Sequence, residues 1–261
     1  MQITPIGPSV NQNQNTAFKA ELKMNKLTTQ IYNKLKPLNA EFTIKKINPA
    51  EIRCEIAFNK PLLIEDKTLN PDFLNSLKKV KGSFKEKCTQ IKNKMLEKMG
   101  FSSNIVDLVV ENGYGACSFA YDKGKIGIAP IMEKFLTIED IIPLIRHELD
   151  HFEKAFGIIK KEGVDKYKSA LVFMSFNRLG KDYTSFSEDF LNKCLRHKKN
   201  MEYFDSKKYL NALEHSTHET TGKDYFENPL EKSAYSVQSR IGRIFSPNYQ
   251  TDLELYEKNK L

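Results

Sequence analysis

The sequence predicts an α+β fold, with a small mixed sheet in its first half and a helical second half. Three observations carry that prediction. Alternating, hairpin-like segments crowd the first 130 residues. After Thr137 the apolar spacing turns helical and stays so. At 261 residues with 40% apolar side chains, the chain is long enough to bury a substantial core.

Met1 to about Thr16 is rich in Asn, Gln and Pro without periodicity, and reads as a tail that cannot bury enough apolar surface to stay ordered. Residues 17–261 read as one domain of two lobes, about 17–160 and 161–261. Leu27–Leu35 suits a short helix ended by Pro37, and Glu41–Ile47 with Ile52–Phe58 suits a β-hairpin around Asn48-Pro49. From Pro71 to about Met99, Phe73, Leu77, Val80, Phe84, Cys88, Ile91 and Met95 recur at helical spacing, and Gly100 is placed to end one long helix. Ile105–Val110 is a β-rich run, and Ala116–Tyr121 and Lys125–Ala129 flank the turn Asp122-Lys123-Gly124. Helices follow at about 138–158, 164–179, 186–199, 206–219 and 229–245.

The formal charge of +8 is lopsided: residues 1–100 hold 18 Lys+Arg against 9 Asp+Glu, and residues 101–261 hold 23 against 24. Eight lysines between Lys78 and Lys98 read as the solvated face of the amphipathic helix, and no nucleic-acid recognition motif accompanies them. No apolar run approaches the roughly 20 residues of a membrane span, and no signal-peptide order opens the chain, so a soluble, cytoplasmic protein is expected. Cys54, Cys88, Cys117 and Cys194 are scattered without a CxxC pair, which suits buried free thiols.

Residues 147–151 read His-Glu-Leu-Asp-His, the HExxH pattern. Histidines four apart on a helix project from one side and can share a metal ion, with the intervening Glu148 beside it as a base. Thr137 and Asp140 make a capping box that opens this helix ten residues earlier, while Pro143 inside it is expected to kink it or delay its regular part. Ile141, Ile142, Ile145, Leu149, Phe152 and Phe156 form an apolar stripe; Arg146, Asp150, Glu153 and Lys154 form a solvated one. His147 and His151 share a third sector with Leu144 and Ala155, as on a helix that lines a cleft.

A catalytic zinc site takes three protein ligands and keeps a position for water. The metzincin extension would need Gly at 154 and His or Asp at 157, where Lys154 and Gly157 stand. Further on lies Tyr225-Phe-Glu-Asn-Pro-Leu-Glu231-Lys-Ser-Ala-Tyr235, in which Asn228 can cap a helix, Pro229 suits its first position and Glu231 falls on the first turn. Glu231 there is either a ligand or a capping-box partner of Asn228; His215, His218, Glu219 and Asp224 are competing ligand sources.

With HExxH and a later E-x-x-A helix, the sequence resembles the gluzincin branch of the zincins, the HExxH zinc metallopeptidases. The resemblance covers residues 137–158 and 225–241. It implies a zincin-like fold, Zn2+ as cofactor, His147, His151 and Glu231 as its ligands, and hydrolysis of a peptide or protein substrate. Zinc would polarise the scissile carbonyl and lower the pKa of its water to about 7, with Glu148 taking the proton and passing it to the leaving amine. Tyr235, or a histidine at 215 or 218, would steady the oxyanion. Many members carry Asp where this chain has Tyr235. The hairpin at 113–129 resembles the edge strand against which zincins lay their substrate. The alternative is a non-catalytic zincin-like protein that binds a partner through its basic first lobe. Substrate preference and oligomeric state are not legible.

Overall fold

The computed structural model describes residues 40–48, 51–58, 66–113, 116–180, 182, 184–202, 204–216 and 223–259. The expected tail and the expected helix Leu27–Leu35 lie outside those residues. The chain divides into two compact units, Met1–Asp66 and Lys67–Leu261.

In the first unit β1 (Ala40–Asn48) pairs antiparallel with β2 (Glu51–Phe58), Ala40 lying opposite Phe58. The strands fall where the alternation predicts them.

The second unit opens with a 3-10 turn at Lys67–Leu69, followed by α1 (Pro71–Leu77) and α2 (Phe84–Lys98). These are two helices, not the single one expected from Pro71 to Met99. Gly82 adopts φ +119°, open to glycine at little cost, and Ser83 then starts a new helix through a reciprocal capping box. The Glu86 carboxylate accepts the Ser83 N–H at 2.7 Å. Apolar periodicity runs through the break because Leu77, Val80, Phe84 and Cys88 all face one core. Of the lysines expected on a solvated face, Lys92 is buried and donates to the carbonyls of Ser103 and Val106 at 2.9 and 2.6 Å.

β3 (Asp107–Val110), β4 (Ser118–Ala120) and β5 (Lys125–Ile128) form a mixed sheet in the order β3-β5-β4. β3 runs parallel to β5, and β4 runs antiparallel to it. Gly124, at φ +64°, closes the turn between β4 and β5, its N–H reaching the Ala120 carbonyl at 2.8 Å. β4 is therefore an edge strand.

After a 3-10 turn at Pro130–Lys134 come α3 (Ile138–Glu162), α4 (Val164–Leu179), α5 (Glu188–Arg196), α6 (Ser206–Glu214), α7 (Lys223–Glu227), α8 (Pro229–Phe245) and α9 (Asp252–Asn259). The Thr137–Asp140 capping box forms as expected, with Thr137 N–H on Asp140 Oδ2 at 2.9 Å. Pro143 does not interrupt α3, because it stands early enough to deprive only a carbonyl near the N-terminus of its donor. The overall class is α+β, dominated by helices. No helix among the described residues is long and apolar enough to cross a membrane.

α3 lies at the centre of the unit, packed by α2, α4, α5, α6, α8 and β4. Its apolar stripe is buried as expected. The stripe expected to be solvated is not, since Arg146 is 3% and Asp150 2% exposed. Neighbours cover that face, and a buried charge persists only when paired. Arg146 Nε donates to Thr68 Oγ1 at 3.1 Å, with its Nη1 3.8 Å from Asp150 and its Nη2 3.9 Å from Glu153. Lys154 donates to Asp150 at 3.1 Å, and Lys199 to Glu153 at 2.7 Å.

Candidate metal centre

One turn of α3 separates His147 from His151, so both imidazoles leave the helix on one side. Their Nε2 atoms face each other at 3.1 Å, and the rings meet edge to face at 4.9 Å. α8 brings the third group. Asn228 starts that helix by accepting the Leu230 N–H at 2.8 Å, with Pro229 in its first turn, and Glu231 follows on the same turn. A capping-box role would have Glu231 receive the Asn228 N–H, but that N–H goes to the Tyr225 carbonyl at 3.2 Å. Glu231 Oε2 lies instead 3.5 Å from His147 Nε2 and 3.6 Å from His151 Nε2.

These three atoms fit a metal ion. The edge of a tetrahedron whose corners stand about 2.0–2.1 Å from its centre is about 3.4 Å, close to all three separations. Glu231 Oε2 is buried and accepts no hydrogen bond, which is costly unless a cation fills its lone pairs. The ligand atoms of His147, His151 and Glu231 form the group among the described residues that can hold an ion. His215 is exposed at the end of α6, its Nδ1 on the Asn211 carbonyl at 2.8 Å, and Asp224 is exposed on α7; neither joins the group. His218 and Glu219 lie outside the described residues.

Burial pulls the His151 imidazole toward neutrality, but the neighbouring Glu231 carboxylate, with Glu148 and Asp150, outweighs it and raises the pKa from 6.5 to about 9. Burial likewise pushes Glu231 up, and the two histidines overcome it and hold the carboxylate well below its usual range. Glu148 is 5% exposed; burial raises its pKa, against the pull of His147 and His151. The backbone of Phe119 on β4 also draws it down.

A cleft of about 390 Å³ reaches this cluster. Glu148, His147, His151 and Glu231 line one part, the strand segment Cys117–Asp122 another, and Leu171, Met174 and Leu179 of α4 a third. Tyr235, expected beside the reacting carbonyl, is buried with its ring 4.6 Å from that of His147, and it does not line the cleft. Tyr225 does, as Glu231 does. Tyr121 also lines it, its hydroxyl 3.0 Å from His151 Nδ1.

Tyr225 and Tyr121 are the residues that sequence reasoning passed over. Tyr225 stands three residues before the Asn228 cap, close enough to fold back over Glu231. Tyr121 shares a strand face with Phe119, by the two-residue period of β-structure.

No protein-family model, curated protein or solved structure matches the chain.

Proposed function

We propose that the chain is a zinc-dependent peptidase. The reading is carried by the convergence of His147, His151 and Glu231, at 3.1, 3.5 and 3.6 Å from one another, beside a carboxylate that belongs to neither the packing nor the ion pairs of α3. Two imidazoles and one carboxylate with a fourth position open to a cleft are the donor set of catalytic zinc, whereas calcium and magnesium sites are built from oxygen. When bound, the ion supplies Lewis acidity that polarises a carbonyl and makes water acidic near neutral pH.

The remaining roles fall to the chain's own side chains. Glu148 is buried in the wall of the cleft, and its raised pKa suits a group that takes a proton from water and returns it to a leaving amine. Tyr225 lines the cleft with Glu231 and can offer its hydroxyl where negative charge would develop on the attacked carbonyl. The edge strand β4 offers backbone groups to an extended peptide, and α4 offers an apolar wall for its side chains. At about 390 Å³ the cleft suits a short stretch of polypeptide, within the roughly 300–1,000 Å³ of small-ligand pockets.

Glu148→Gln tests the reading. The amide fills the same volume but accepts no proton, so zinc content and melting temperature are expected to hold while peptide hydrolysis falls by about 10²-fold or more. Undiminished hydrolysis removes Glu148 from the mechanism. Wild-type protein with one zinc and no hydrolysis of a random peptide library would support the non-catalytic alternative.

A further inference from the structure

We propose that Tyr121, which follows the edge strand β4, is a positioning residue of the metal centre: its hydroxyl accepts the Nδ1–H of His151 and so aims the Nε2 lone pair at the ion. This rests on the metal reading above. The Tyr121 oxygen lies 3.0 Å from His151 Nδ1, and the two rings are 5.9 Å apart, tilted by 60°. The opposite nitrogen, Nε2, faces His147 and Glu231. An imidazole that ligates through Nε2 carries its proton on Nδ1, and that buried N–H needs an acceptor. Tyr121 is that acceptor.

The two histidines differ sharply in this respect. His147 Nδ1 is buried with no hydrogen-bond partner, and the Tyr235 ring meets that imidazole edge to face at 4.6 Å. His151 is therefore the ligand whose tautomer and ring angle are preset, and His147 is the one that adjusts. Tyr121 is itself fixed from two sides. Its carbonyl accepts the hydroxyl of the fully buried Tyr167 of α4 at 2.8 Å, and its ring packs on Phe119 at 5.1 Å. Phe119, Tyr121, Glu148 and His151 line one cleft, so the three-residue strand β4 and the tyrosine that follows it stand beside both the base and one ligand.

The test is zinc affinity, measured by competition with a chromogenic chelator on the full chain, for wild type and Tyr121→Phe. Loss of an outer-shell partner of this kind is expected to weaken binding by about 10–100-fold, with the metal-free melting temperature held. Equal affinity in the two proteins overturns the assignment. Nitrogen-15 NMR of the zinc-loaded wild type supplies a reading that needs no variant: His151 is expected to be protonated at Nδ1 and to lose the proton's hydrogen-bonded shift in Tyr121→Phe. A His151 protonated at Nε2 overturns the assignment even if Tyr121→Phe fails to fold. Wild-type protein that binds no zinc overturns both this assignment and the metal reading beneath it.

Discussion

His151 is shut away from water yet surrounded by Glu231, Glu148 and Asp150, and in the metal-free protein the carboxylates win, lifting its pKa to about 9. A metal needs the neutral imidazole, so at pH 7.5 binding must expel a proton. Zinc affinity is therefore expected to climb by up to tenfold per pH unit toward pH 9 and to flatten above it. The stability of the metal-free chain runs the other way. A pKa raised above its ordinary 6.5 gives stability that is fully present below that value and lost as pH rises through about 9. Calorimetry at pH 7.5 in buffers of different ionisation enthalpy reads the released proton directly, and an affinity flat from pH 6.5 to 9 would sink the assignment. At this scale the histidines and Glu148 were legible, because their spacing is local and helical. Tyr121 and Tyr225 were not: each reaches the centre by one hydroxyl, which leaves no periodic trace. The burial of Arg146 and Asp150 was missed for a related reason, since charge predicts solvent unless the covering partners, Thr68 among them, are known.

Among the elements, α3 was readable at its start because its capping box and stripe are encoded within it, while its end, expected at about 158, lies at Glu162 before Gly163. The break between α1 and α2 was hidden by apolar spacing that serves one core across both helices, although Gly82, Ser83 and Glu86 spell a stop and a start. Gly157 of α3 shows the same limit. Nothing local explains a glycine in mid-helix, where alanine is ordinarily favoured by about 1 kcal/mol. In the fold, a Cβ there would run into the ring of Phe204, which stacks on Tyr209 at 5.3 Å. Gly157→Ala is thus expected to lower stability, since overpacking costs about 1–3 kcal/mol and exceeds the helical gain. A melting temperature lower by roughly 2–4 °C would agree, and a higher one would mean that Phe204 yields without cost.

For the molecule as a whole, the α+β order was legible from the shift in periodicity at Thr137, whereas a boundary at Asp66/Lys67 depends on which contacts close on themselves. One consequence is that the candidate metal centre ties together residues far apart in the sequence of a single unit. His147 and His151 come from α3 and Glu231 from α8, helices that pack along each other, with Leu230, Ala234 and Ile241 of α8 buried. An ion held by both helices binds the folded unit and has no preformed counterpart in the unfolded chain. At a free zinc concentration 100 times its dissociation constant, the ion is expected to add about 2.7 kcal/mol. For a unit of this size each kcal/mol moves the midpoint by about 2–4 °C, so the melting temperature should rise by roughly 5–10 °C on loading and fall back on chelation. Glu231→Ala separates a ligand from a packing residue in the same measurement. α8 keeps its apolar face on α3 in that variant, so the metal-free midpoint should change little while the zinc-induced rise largely disappears. A rise of full size in Glu231→Ala would remove Glu231 from the centre, and no rise in the wild type would remove the ion.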